Sequence, residues 1–193
     1  MNELTELALE LQSFCQQRGW KFCLIGGLVV QHWGEPRFTK DVDMTLLTGF
    51  GNEETFVDEW LASYEGRLTD VRQFALTNRV LLLKSSRGIG IDIALGALPF
   101  EASAIARACD VVLESGAVLR LCSAEDLIVM KAFADRPQDR LDLRGILVRQ
   151  GTVRLDWDYI KSNLAPLCEA KEDPDIMPRL EALRREVQRT EPA

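Results

Sequence analysis

Two aspartates separated by one residue open a run that alternates polar and apolar, Asp41-Val42-Asp43-Met44-Thr45-Leu46-Leu47. Alternation of period two is the mark of a half-buried strand. Residues two apart in a strand point to the same side, so Asp41 and Asp43 share one face while Val42 and Met44 turn into a core. Aspartate is depleted in strands, and neighbouring carboxylates raise each other's pKa unless a cation neutralises them. Two on one face therefore need a reason, and one is a cation that neutralises them. A hard divalent ion does so: Mg²⁺ takes one or two carboxylates and completes its shell with substrate phosphate oxygens. Asp41 and Asp43 are accordingly candidate Mg²⁺ (or Mn²⁺) ligands, against the plainer reading of a solvated strand edge. Arg37 and Thr39 have the same parity. In an extended segment they add a guanidinium, suited to clamp phosphate, and a hydroxyl that can orient a carboxylate or a phosphate.

Upstream, Lys21-Phe22-Cys23-Leu24-Ile25 reads as a short buried strand that runs into Gly26-Gly27. Leu28 to Trp33 follows as a helix, stopped by Gly34 and Pro36. Glycines between a strand and a helix start let backbone N–H groups approach an anion at the positive helix end; without a ligand they make a tight turn. Downstream, Ile89, Ile91, Ile93 and Leu95 form one apolar strand face and leave Asp92 alone on the other. If that strand lies beside the acidic one, Asp92 completes a three-carboxylate cluster. Such a cluster holds two metals about 3.5–4 Å apart, or one metal and a general base.

The remaining pattern predicts a helix over 3–18 capped by Gly19, with Leu4, Leu7, Leu11 and Phe14 on one face. It also predicts a helix over 53–64 with Phe56, Trp60 and Leu61 inward, and a hairpin of strands 79–84 and 89–95. A helix begins at Pro99, and a last short strand covers 117–121. From Ser123 onward the periodicity is helical. The chain thus divides into an α/β part over 1–122 and a helical part over 123–193.

Composition removes several function classes. The 193 residues carry a net charge of −7 and five cysteines without a Cys-x-x-Cys, which indicates neither a disulfide frame nor a zinc site. A pI near 4.9 disfavours a broad nucleic-acid footprint. Local bases (Arg72, Arg79, Lys84, Arg87 and Arg136, Arg140, Arg144, Arg149) remain available for a small one. No apolar run approaches the roughly 18 residues that cross a bilayer, and Met1-Asn2-Glu3-Leu4 is unlike a basic leader. The expectation is a cytoplasmic protein with no membrane partner. His32, the one histidine, reads as a packing residue.

The combination Leu24-Ile25-Gly26-Gly27, Arg37-Phe38-Thr39-Lys40-Asp41-Val42-Asp43 and the later Asp92 resembles the polymerase-β-type nucleotidyltransferase superfamily. Within it, the pattern is most similar to the AbiEii-type toxin-like and minimal nucleotidyltransferase branch. The resemblance spans about residues 20 to 145. It implies an α/β (α+β) fold, a mixed sheet flanked by helices and followed by a helical C-terminal part. It implies nucleotide phosphates at Gly26 and Gly27, Mg²⁺ on Asp41 and Asp43, and Asp92 as the third carboxylate that activates an acceptor hydroxyl. The superfamily's usual second turn residue is Ser; Gly27 stands there, so a side-chain hydroxyl is missing while the backbone donors remain. By the same resemblance Lys131 meets the nucleotide's phosphates or sugar, and Asp139 orders Lys131 or a neighbouring base. Lys131, Arg136, Asp139 and Arg140 read equally as a surface salt-bridge helix.

The activity so implied is Mg²⁺-dependent transfer of a nucleoside monophosphate from an NTP to a hydroxyl acceptor: an RNA 3′ end, a protein or a small molecule. The branch resemblance adds the role of a toxin with a cognate antitoxin as partner. The competing reading is a catalytically degenerate nucleotidyltransferase fold that binds a nucleotide or a protein partner. The intact Asp41, Asp43 and Asp92 set speaks against it.

Overall fold

The computed structural model describes residues 2–190. Backbone packing divides them into two units. One holds the residues up to Leu28 with Phe38–Cys122; the other holds Val29–Arg37 with the chain from Ser123 onward.

The first unit is built on a mixed sheet of seven strands among the described residues. They are β1 (Phe22–Ile25), β2 (Asp41–Leu47), β3 (Glu65–Gly66), β4 (Val80–Lys84), β5 (Gly90–Gly96), β6 (Cys109–Val112) and β7 (Val118–Leu121). Their order is β3-β4-β5-β2-β1-β7-β6. The pairs β2–β5 and β1–β7 are parallel, and the other pairs are antiparallel. Along β2 the alternation does what the sequence demands: Val42, Met44 and Leu46 are fully buried, while Asp41 and Asp43 are half-buried. On β5, Ile91 and Ile93 are buried and Asp92 is half-buried.

Helix α1 (Glu3–Gln17) packs on β1, β2 and β7 and buries Leu7, Leu11 and Cys15. Asn2 caps it by accepting from the Thr5 N–H at 2.8 Å. Gly19, at φ 66°, closes its other end in the left-handed conformation that glycine adopts freely. Helix α3 (Glu53–Leu61) turns Val57 and Trp60 inward; Phe56 and Leu61, expected there, are only half-buried. Trp60 stacks on Phe14 with ring centroids 4.2 Å apart and meets Trp20 and Tyr64 at 6.0 and 5.4 Å. Helices α4 (Val71–Asn78) and α5 (Pro99–Arg107) complete this unit.

In the second unit, α6 (Ala124–Ala134) packs on α7 (Pro137–Gln150), α8 (Trp157–Lys171) and α9 (Ile176–Thr190). Ser123 caps α6 by accepting from the Asp126 N–H at 3.1 Å. Helix α2 (Gly26–Trp33) starts in the first unit and ends in the second. No helix among the described residues is long and apolar enough to cross a membrane.

The aromatic group around Trp60 sets a stability test. Trp60 is fully buried, so Trp60→Ala in urea unfolding should cost about 3–5 kcal/mol. Its indole N–H has no hydrogen-bond partner among the described residues. Trp60→Phe, which deletes that unpaired donor, should therefore cost less than half as much.

Candidate functional site

Register brings the three aspartates of the first unit onto one face. Asp43 pairs with Asp92 across the parallel β2–β5 ladder, and Asp41 pairs with Gly90. Neighbouring strands lie about 4.8 Å apart, so Asp43 and Asp92 are side-by-side neighbours. Ile25, the last residue of β1, is the partner of Asp43 on the other side. This delivers the Gly26–Gly27 turn to the acidic edge.

The turn closes on the carboxylates. The Gly27 N–H donates to Asp43 Oδ2 at 3.3 Å. Gly26 has φ 68°, and a Cβ there would overlap the Asp43 carboxylate. Both conformation and space exclude a side chain. A Cβ at Gly27 would fall 2.5 Å from Thr39 Oγ1. Thr39 itself is buried and donates its hydroxyl to Asp41 Oδ1 at 3.0 Å. The space next to residue 27 is thus taken by a hydroxyl from a different segment, which explains why glycine stands where the resemblance expects serine. Gly26, Gly27, Thr39, Asp41, Asp43 and Asp92 are brought together.

The face carries a cation that the sequence did not single out: Arg67 Nη2 donates to Asp92 Oδ1. Among the described residues no three His, Cys, Asp or Glu side chains stand as a group able to hold a metal ion. Asp41 and Asp43 still suit Mg²⁺. They are two hard oxygen ligands on one half-open face, backed by a glycine whose missing Cβ leaves room for a carboxylate, and Mg²⁺ needs no more protein ligands than that when phosphate oxygens join its shell.

Arg37 and Lys131 lie in the second unit, where they meet at one acid. Arg37 holds Asp142 in a fork, Nε to Oδ1 at 2.6 Å and Nη2 to Oδ2 at 2.9 Å. Lys131 Nζ lies 2.8 Å from Asp142 Oδ2 and 2.8 Å from Asp139 Oδ1. The Lys131, Asp139 and Asp142 side chains are only 11, 6 and 1% exposed. This is a buried network, in contrast to the surface salt-bridge helix that the sequence also allowed. Arg136 and Arg140 keep that character, with side chains 79 and 58% exposed. Burial opposes the charge on Asp142, but hydrogen bonds from Arg37, Lys131 and Gln138 outweigh it and hold the carboxyl at about 2. His32 is pushed below its ordinary value by burial and then by Arg149. It packs edge-on against Trp33 with centroids 4.3 Å apart, as a packing residue should.

The basic residues open to a nucleic-acid role are engaged within their own units. Arg72 pairs with Asp58 and Glu54, Arg79 with Glu53, Lys84 with Glu65, and Arg87 with Glu6. Arg140 pairs with Asp135 and Arg144 with Glu186, while Arg149 donates to the Gly34 carbonyl.

Neither a protein-family model nor a curated protein sequence matches this chain. Its fold is similar to that of an antigenic nucleotidyltransferase-like protein from Paracoccidioides brasiliensis, with a TM-score of 0.54 at 17% identity over 93% of each chain. Looser likenesses are to the antibiotic-resistance factor ANT(2'')-Ia in solution and in complex with adenylyl-2''-tobramycin. Their TM-scores are 0.43 and 0.45 at 16 and 15% identity, over 97 and 96% of this chain and 94 and 97% of those chains. The architecture is a nucleotidyltransferase fold: a mixed α/β sheet flanked by helices.

Two outcomes follow from this geometry. Gly26→Ala should destabilise the fold by about 1 kcal/mol or more, because Ala resists positive φ, and should also displace the Asp43 carboxylate. Chemical denaturation and a structure of the variant check both. Asp142 has its folded pKa below the unfolded value of 3.8, so its stabilisation is present above about pH 4 and is lost as pH falls toward 2. Asp142→Asn should flatten that limb of the stability–pH curve while lowering stability at pH 7, since Arg37 loses the carboxylate it forks and Lys131 loses one of its two.

Proposed function

We propose that the protein is a metal-dependent nucleotidyltransferase that moves a nucleoside monophosphate from an NTP to a hydroxyl acceptor. The observation that carries this reading is the meeting of Asp41 and Asp43 with the Gly26–Gly27 turn, in a nucleotidyltransferase fold. Apart from the Gly27 N–H, which holds Asp43, the first-turn backbone N–H groups of α2 offer donors to the NTP phosphates at the positive end of a helix. Asp41 and Asp43 would hold Mg²⁺ (or Mn²⁺), which when bound neutralises charge on the phosphates and orients them. Thr39 fixes Asp41, and the Gly27 N–H fixes Asp43, so both carboxylates are set before substrate arrives.

The acceptor oxygen attacks the α-phosphorus, the bond from that phosphorus to the bridging oxygen breaks, and pyrophosphate leaves. Asp92, next to Asp43, takes the acceptor proton. Catalysis here is positioning and charge neutralisation. Lys131, which by the resemblance would meet the nucleotide's phosphates or sugar, holds Asp142 within the second unit, and Asp142 holds Arg37. The finer resemblance, to AbiEii-type toxins, would make an RNA 3′ end the acceptor and a cognate antitoxin the partner. A protein or small-molecule hydroxyl serves the same chemistry.

A thermal-shift panel of the four NTPs with and without Mg²⁺ tests the reading. NTP with Mg²⁺ should raise Tm, and neither alone should match it. Asp41→Asn and Asp43→Asn should abolish that shift and pyrophosphate release while leaving the metal-free Tm equal or slightly higher, because like-charge repulsion is relieved. A strong loss of metal-free stability in both variants would instead make these aspartates structural acceptors.

A further inference from the structure

The acidic face carries a permanent cation of its own. Arg67 directly follows β3, and its backbone N–H donates to the Leu82 carbonyl at 3.0 Å, which extends the β3–β4 ladder by one rung. Leu82 is the partner of Asp92, and Asp92 is the partner of Asp43. Arg67, Leu82, Asp92 and Asp43 therefore stand in one row across the sheet. Two strand spacings of about 4.8 Å separate Arg67 from β5, and the arginine and aspartate side chains close that span. Gly90 makes the room: a Cβ there would lie 3.2 Å from Arg67 Nη1 and 3.4 Å from the Cβ of Asp41. The guanidinium thus lies over bare backbone at the edge of the Asp41 strand. Arginine keeps its charge at any working pH.

The geometry points to Arg67 as a built-in counter-ion of this face, which by pairing with Asp92 takes the place of a second divalent ion and leaves Asp41 and Asp43 to hold a single one. This inference rests on the metal–nucleotide site proposed above and deepens it. A face of three carboxylates admits two ions, or one ion and a base; the arginine selects the second arrangement. One guanidinium and one divalent ion together balance three carboxylates, whereas a second divalent ion would add uncompensated charge beside a fixed cation. Asp92 is then kept as a carboxylate with a set orientation and is not consumed as a metal ligand. Arg67 is a positioning residue.

Mn²⁺ titration of the whole chain by electron paramagnetic resonance, without nucleotide, reads the number of ions directly. The wild type should bind one Mn²⁺ per chain, and Asp43→Asn should lose it. Arg67→Gln should gain a second, weaker Mn²⁺, which Arg67→Gln with Asp92→Asn should lose again; Arg67→Lys should keep one. If Arg67→Gln does not fold, Asp92→Asn alone decides, because it retains the ion unless Asp92 is a ligand. Two ions in the wild type, one ion in Arg67→Gln, or loss of the ion in Asp92→Asn would each overturn the role of Arg67 while the Asp41–Asp43 site stands. No ion in the wild type, or one that survives Asp41→Asn with Asp43→Asn, would overturn the underlying metal site itself.

Discussion

Carboxylates set side by side on one sheet face repel each other, and the first unit is organised around relieving that repulsion. Asp43 and Asp92 are partners across a parallel ladder, so their closeness is imposed by backbone hydrogen bonds and cannot relax without losing register. A slip of one residue would turn Asp41 and Asp43 into the core and expose Val42 and Met44. Each carboxylate instead receives its own donor: Thr39 for Asp41, the Gly27 N–H for Asp43 and Arg67 for Asp92. Two glycines on this face serve the same end, Gly26 by leaving space for the Asp43 carboxylate and Gly90 by leaving space for Arg67.

The second unit solves a comparable problem by burial. Lys131 is held between Asp139 and Asp142, and Arg37 shares Asp142. Two cations and two carboxylates come to near balance in a confined space, with Gln138 adding a neutral donor at 3.0 Å. Breaking one member leaves an uncompensated charge, which costs more than the whole network contributes over an apolar equivalent. Such a network specifies geometry more than it adds stability. What it fixes here is the guanidinium of Arg37, two residues along the chain from Thr39.

The elements with strong alternation were legible: β2 over 41–47, the β4–β5 hairpin, and the grouping of Asp41 with Asp43. The face of Asp92 was legible too, because its apolar neighbours Ile91 and Ile93 fixed it, whereas its place beside the acidic strand was only a condition in the sequence and is settled by the β2–β5 ladder. The elements that escaped have weak local signals. Helix α4 buries only Val71 and Ala75, β3 is two residues long, and β6 is an edge strand with no buried residue. The charge partners escaped for a different reason. Arg67 and Asp92 are 25 residues apart, and Arg37 and Asp142 are 105 apart; no periodicity encodes a pairing that only the assembled fold creates. Gly27 illustrates both limits. Sequence showed that a hydroxyl was missing from the turn, and only the fold shows Thr39 filling the space.

The central claim is that the acidic face moves a nucleotidyl group. It is tested most directly by incubating the protein and Mg²⁺ with each of the four NTPs, labelled at either the α- or the γ-phosphorus, in the presence of total cell RNA, protein and small-molecule extract. The account predicts that the α-label alone becomes covalently attached to one acceptor fraction, with the γ-label recovered in pyrophosphate. Attachment of the γ-label would mean phosphoryl transfer instead, and absence of both labels across all four NTPs would contradict the assignment of an active nucleotidyltransferase.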